Sequence, residues 1–225
     1  MDCIRSSFVP APEAAYIGGV SLRDMNRMID EDLVPRSLVR VEGGVRRFSP
    51  LAAAFARFFG QTDRALRPGV RKEILFEIAE RVQQLPFPQE VILALRFDPS
   101  AMNWKVVNDT MGLQFDLSIF VTEAMRRAMA LDRAARLVVE DSEVMGGQPC
   151  FAGTRVPISV VLASLDEAIS MARLMASYPF LTDAHIEAAR IYTAVRPRRG
   201  RPPRLGEVTP PGTRISRRIV RSEGR

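Results

Sequence analysis

The thirteen residues Gly-Gly-Gln-Pro-Cys-Phe-Ala-Gly-Thr-Arg-Val-Pro-Ile at 146–158 constrain this chain more than any other stretch. Gly146, Gly147 and Gly153 supply backbone angles that a side chain would penalise, so the run holds two tight turns. Pro157 needs no amide donor if it stands at the first turn of a helix. Pro149 lies between the turns, Thr154 follows the second, and Arg155 is expected to tie the hairpin to a neighbouring carboxylate. A strand over 137–140 leads in, and helices over 159–165, 167–177 and 182–195 follow, the last capped by Thr182 with Asp183 in its first turn. Ala184, Ala188, Ile191 and Val195 are its expected buried face. By spacing alone this is a hairpin and a helix start with no chemistry.

The N-terminal part reads differently. Residues 11–32 predict a helix-turn-helix: Glu13, Ala14, Ala15 and Ile17, then Gly18-Gly19-Val20, then a helix capped by Ser21 with Leu22, Met25, Met28 and Ile29 on one face. Its other face carries Arg23, Asn26 and Arg27 near the start and turns acidic at Asp30, Glu31 and Asp32. Base contacts come from the first turns of a recognition helix, so this polarity suits DNA. A hairpin over 38–48 around Gly43-Gly44 places Arg40, Arg46 and Arg47 beside it, and Ser49-Pro50 opens a third helix. The Arg-Arg-Phe-Ser-Pro run at 46–50 resembles the wing of MerR-like regulators, which implies a winged helix-turn-helix unit.

Between these parts, 73–85 predicts an amphipathic helix stopped by Pro86 and Pro88, and 91–97 and 104–107 predict strands. A long helix is expected over 116–131, with Leu117, Phe120, Val121, Ala124, Ala128 and Leu131 in a stripe that serves as core or dimer surface, and with Arg126 and Arg127 on a solvated face. Residues 61–136 therefore read as a connector that helps the protein dimerise.

Composition narrows the function classes. An apolar share of 47% fits a globular chain, and no run approaches the length of a membrane span. The N-terminus has no signal-peptide layout, and Cys3 and Cys150 show no metal-like spacing, so a reducing, cytoplasmic setting is expected. No catalytic residue, metal site or cofactor is expected: His185 is the single histidine, Asp98, Asp109, Asp116, Asp141 and Glu143 are scattered, and the 146–153 glycines lack the Gly-Lys-Ser/Thr end of a phosphate loop.

Charge is concentrated at one end. Residues 196–225 hold ten arginines against Glu207 and Glu223, so with a whole-chain net charge of +6 the remainder is slightly acidic. Arg199-Gly200-Arg201-Pro202 resembles the core of an AT-hook, in which glycine lets an extended backbone lie in the minor groove with arginines along its floor. Arg198, Arg204, Arg214, Arg217 and Arg218 extend the basic character, the last three alternating with Ile215, Ile219 and Val220. Docking on an acidic protein partner, minor-groove binding and a solvated tail are the three roles open to the segment, preferred in that order.

The 146–158 run, continued by Tyr178-Pro179-Phe180-Leu181-Thr182, resembles the signature of small prokaryotic antitoxin domains of the VapB type. That resemblance covers 138–195 and implies a three-helix, helix-turn-helix-like fold that partners a PIN-domain ribonuclease toxin, whose metal-holding carboxylates would receive the arginine tail. The family carries a glycine in the turn where this chain has Ser164-Leu165-Asp166, a departure that bears on the angle between its helices. The last helix offers Asp183 and Glu187 against Arg190, a poor match to phosphates, so this unit is expected to bind protein or dimerise.

The expected architecture is thus mainly α with small β elements, an α+β chain in four parts: a winged DNA-binding unit at 1–60, a connector at 61–136, an antitoxin-type domain at 137–195 and the tail at 196–225. The expected function is neutralisation of a PIN ribonuclease toxin joined to repression of the shared operon by a dimer on operator DNA. The rival is a stand-alone MerR-like regulator whose 61–136 segment senses a ligand and whose tail clamps the minor groove.

Overall fold

The computed structural model describes residues 7–94, 102–108 and 112–196. Strand β1, Val9–Pro10, runs directly into α1, Ala11–Gly18, which has proline in its first turn. Gly19 closes α1 in the left-handed region (φ 63°), where its amide and that of Val20 satisfy the Tyr16 and Ala15 carbonyls. Ser21 then caps α2, Leu22–Asp30, accepting the Asp24 amide at 3.0 Å. The end of α2 repeats the pattern of α1 with Asp32 at φ 49°: the Asp32 and Leu33 amides reach the Ile29 and Met28 carbonyls. Strands β2, Val39–Glu42, and β3, Val45–Phe48, form the hairpin, and β1 adds to the free side of β3 in the order β1-β3-β2. The third strand escaped the sequence reading because two residues carry no alternation. Helix α3, Pro50–Gln61, follows, its first turn closed by the Ser49 hydroxyl.

Two expectations for the middle change. Residues 91–94 belong to helix α5, Pro88–Ala94, not to a strand, and 95–97 lie outside the described residues. A short apolar run is ambiguous by period, and here proline at the first helical position and the buried pair Val91 and Ile92 favour helix. Upstream lies α4, Pro68–Gln83, longer at its start than its periodic stretch. The expected strand near Trp104 is β4, Lys105–Asn108, paired antiparallel with β5, Leu113–Asp116. Asp116 therefore ends a strand rather than opening the long helix. Its Oδ1 accepts the Ser118 amide at 2.9 Å at the start of α6, Ser118–Leu137, and Ser118 holds its carboxyl below the usual aspartate range.

The C-terminal elements are β6, Val138–Val139, paired antiparallel with β7, Cys150–Phe151, then α7, Ile158–Asp166, α8, Met171–Ser177, and α9, Asp183–Val195. Ala184 is exposed, and the inner face of α9 is instead Ile186, Ala188, Ala189, Ile191, Tyr192 and Val195. The protein is mostly helical with small antiparallel sheets, an α+β architecture.

Buried residues fall into two clusters. One gathers α1 to α5, the β4–β5 hairpin and the first half of α6, so the core runs across position 60 without a break. The other takes Ala130 and Ala134 from the second half of α6 and packs them with Val138, Phe151 and the last three helices. Helix α6 is common to both, and its small inner residues Ala124, Ala128, Ala130 and Ala134 let neighbouring helices approach closely. Among the described residues, no helix is long and apolar enough to cross a membrane.

Helix α1 crosses α3 closely. A Cβ on Gly18 would stand 2.6 Å from the Ala53 carbonyl oxygen, so no side chain fits there. The Gly18 carbonyl accepts from Arg57 on α3 at 3.2 Å, and the Tyr16 carbonyl accepts from Arg127 Nε on α6 at 2.6 Å. Arg127 also lies 4.6 Å over the Tyr16 ring. It is therefore not on a solvated face, unlike Arg126, which pairs with Glu123 at the surface. Helical period puts adjacent residues about 100° apart, and that rotation separates the two arginines. Arg127→Met should destabilise the protein by about 1.5–3 kcal/mol, the usual loss for a charge-assisted bond to a half-buried carbonyl. Arg126→Met should leave stability essentially unchanged. Urea unfolding of the two variants checks the difference.

Candidate nucleic-acid interface and the C-terminal signature

Helix α2 presents Ser21, Arg23, Asn26 and Arg27 on one exposed surface, together with Asp24, Asp30 and Glu31. The Ser21 hydroxyl takes the Asp24 amide and donates to the Asp24 carboxylate at 2.6 Å. Asn26 Nδ2 donates to the Leu22 carbonyl at 3.0 Å, and Arg27 Nε donates to Glu31 one turn on. Arg23 is exposed and has no ion pair among the described residues. Two arginines stand among three carboxylates here, so the face carries no excess positive charge.

Strand alternation splits the hairpin arginines. Arg46 faces α2, where it bridges to Asp30 at 2.8 Å and fastens the hairpin to the helix. Arg40 and Arg47 are cross-strand partners on the opposite face. Arg40 stacks 4.3 Å from the centre of the Phe8 ring, and Arg47 Nε lies 2.9 Å from Glu42 Oε2, near enough for charge attraction but without hydrogen-bond alignment. Two like charges directly opposite on a hairpin repel, and an anion between them would relieve that repulsion. Arg36, which the sequence reading passed over, is 91% exposed on the turn into β2 and reaches Asp32 only at 3.4 Å. A lone arginine between Pro35 and Ser37 carries no pattern, so only its position identifies it.

Further along, the signature residues build a compact corner. Gly146, Gly147 and Gly153 have φ of 64°, 80° and 73°, and a Cβ on any of them would meet open space or ordinary contact, so glycine is needed there for its backbone angle. Thr154 Oγ1 donates to the Phe151 carbonyl at 2.9 Å and accepts the Val156 amide at 3.1 Å, which locks the second turn. The Pro149 carbonyl accepts the Ile158 amide at 3.0 Å, and Pro157 is the residue before α7 rather than inside its first turn. Arg155 is exposed and makes no ion pair among the described residues, so it does not tie the hairpin to a carboxylate. Thr182 precedes α9 as expected, but its hydroxyl pairs with His185 Nδ1 at 2.8 Å instead of a backbone amide, and His185 packs edge-on to Phe151 and Phe180.

The tail arginines Arg198, Arg199, Arg201, Arg204, Arg214, Arg217 and Arg218, and Cys3, lie outside the described residues. The last described residue, Arg196, stacks on Tyr192, donates to its hydroxyl at 2.9 Å and lies 3.6 Å from Glu140. Burial and the Glu140 hydrogen bond push the Tyr192 pKa up. A cleft of about 300 Å³ between α1, α6 and α9, with Glu13, Asp132 and Glu140 on its walls, opens at this point. Among the described residues, no group of three or more His, Cys, Asp or Glu side chains comes together as a metal site.

Residues 138–193 match a domain family described as "Protein of unknown function (DUF433)", and the match coincides with the second core apart from its α6 alanines. At 34% identity over 224 residues, covering 96% of this chain and 94% of the relative, the chain is similar to the uncharacterized protein y4eO of Sinorhizobium fredii (strain NBRC 101917 / NGR234), and it belongs to that protein's family. No solved structure matches it.

Helix α7 closes just after the Ser164-Leu165-Asp166 stretch. The Ala168 and Ile169 amides bond to the Leu165 and Ser164 carbonyls, the same closing pattern as after α1, with Ala168 forced to φ 62°. The left-handed position falls two residues after Asp166, and an alanine occupies it. Ala168→Gly should raise stability by about 1 kcal/mol, because an L side chain costs roughly 1–2 kcal/mol there and glycine returns part of that as unfolded-chain entropy. Chemical denaturation of the two proteins decides it; an unchanged or lower midpoint would refute the strain.

Proposed function

We propose that this chain is a DNA-binding antitoxin: its N-terminal unit reads operator DNA as a winged helix-turn-helix dimer, and its C-terminal unit with the arginine tail holds a PIN-type ribonuclease toxin. The observation that carries the DNA half is the Arg46–Asp30 bridge. It lies over a shared core of Met25, Met28, Leu38 and Phe48 that holds the basic hairpin against a helix whose exposed start carries Arg23, Asn26 and Arg27, so a helix for the major groove and a strand pair for the flanking phosphates move as one body. Arg27 exchanges Glu31 for a base edge or phosphate at small cost, since an ion pair this exposed contributes little to stability. Arg40 and Arg47 take a phosphate between them.

The protein-binding half is supported by surface chemistry. Val139, Met145 and Val160 on the C-terminal unit are 46%, 49% and 44% exposed, an apolar set for a protein partner. The acidic outer face of α9 repels DNA.

Fluorescence anisotropy with duplex DNA from upstream of the protein's own gene tests the first half. Arg23→Ala with Arg27→Ala should weaken binding by about tenfold or more. Arg40→Ala should weaken all sequences alike and flatten the log–log salt dependence by about 0.9. Equal binding by wild type and the double variant would remove α2 as the reading element. For the second half, tagged full-length protein purified from its native host should bring down a stoichiometric small protein with ribonuclease activity, and removal of 196–225 should release that activity. Recovery of DNA alone would leave a stand-alone regulator.

A further inference from the structure

Beneath α2, against α3 and α4, lies a cavity of about 150 Å³ lined by Met28, Leu33, Ala56 and Phe59 with Arg71 and Asp63. Arg71 is the only charged residue buried among the described residues, at 5% exposure. Its Nη1 donates to the Phe59 carbonyl in the last turn of α3, and its guanidinium stacks 3.7 Å from the Phe59 ring centre. Its Nε has no hydrogen-bond partner. No carboxylate forms an ion pair with it among the described residues; burial depresses its pKa, and Asp63 and Glu31 counter that only through space. Closing the end of α3 requires a donor, not a charge. A buried cation without a counter-ion is costly, and its position on the wall of a cavity points to an anion that fills the space.

We propose that this cavity binds a small monocarboxylate with an apolar body, the carboxylate pairing with Arg71 and the body resting on Met28, Leu33, Ala56 and Phe59. Size and charge select the ligand. A cavity of ~150 Å³ accepts a benzene-sized guest, so the ligand has on the order of ten non-hydrogen atoms or fewer. Arg27, engaged by Glu31, shares the walls with Asp24 and Asp63, so Arg71 is left to pair one ligand charge, and the second charge of a phosphate would face carboxylates. The site touches the operator-reading helix through Met28 and Arg27, but it exists whether or not the chain binds DNA.

Thermal unfolding of the full chain tests it, with butanoate and benzoate as ligands, 1-butanol and benzyl alcohol as uncharged counterparts, inorganic phosphate as the dianion, and chloride holding ionic strength constant. One of the carboxylates should raise Tm by roughly 3–5 °C at about ten times its Kd, while the alcohols and phosphate should not. Arg71→Met removes the charge at similar volume, and Ala56→Leu fills the cavity while keeping Arg71; the shift should vanish in both. The proposal fails if the alcohols match the carboxylates, if phosphate matches them, if the shift survives in Ala56→Leu, if it survives in a folded Arg71→Met, or if neither carboxylate moves Tm. No DNA enters this measurement, so its failure and failure of operator binding are separate results.

Discussion

The last carbonyls of α1 are the point on which the rest of the structure turns. A helix end leaves carbonyl lone pairs over: that of Gly18, and on Tyr16 the one beside that taken by the Gly19 amide, still need donors. Arg57 from α3 and Arg127 from α6 fill that need from two sides. One short helix therefore fixes the relative position of two long ones. Everything placed by α3 and α6 follows: the hairpin that enters α3, and the C-terminal unit that begins where α6 ends. Arg71 closes α3 in the same way. A guanidinium suits these tasks because its several donors sit in a fixed plane that can bond a carbonyl and stack on a ring at once, which an ammonium cannot do.

Electrostatics on the surface of α2 follow a second rule, mutual neutralisation. Arg27 with Glu31 and Arg46 with Asp30 leave little net field on the face toward which DNA is proposed to come. A surface held this way binds polyanions weakly unless its partner offers specific contacts that repay the exchange, which favours discrimination over bulk attraction. The sequence supplies its unbalanced positive charge elsewhere, in 196–225.

Much of the fold was readable from local chemistry. Ser21, Ser49, Gly19 and Gly43-Gly44 announce helix starts, a helix end and a hairpin whatever the tertiary context, and the structure uses them so. Residues 91–94 are helical where a strand is expected because a short apolar run has no period of its own and only its packing against α3 decides its state. β1 and the start of α6 were missed for a related reason: pairing with β3 and the Asp116 turn are non-local facts. At the candidate interface the residue types were legible, but their partners were not. That Arg46 reaches α2 while Arg47 turns away follows from strand phase, and that Arg127 is interior while Arg126 is exposed follows from where α1 happens to end. Arg71 left no trace at all, since a lone arginine in an amphipathic helix looks like surface.

Helix α6 has a consequence for what counts as a unit in this protein. The family match begins at residue 138, but the core it encloses is completed by Ala130 and Ala134, upstream of that boundary and on a helix whose other half is anchored in the N-terminal core. The evolutionary module and the folding module thus have different edges. Cut at the first, the C-terminal piece would lose a wall of its interior and present that seam to solvent. In the whole chain, α6 acts as a shared beam, and the two cores support one another through it.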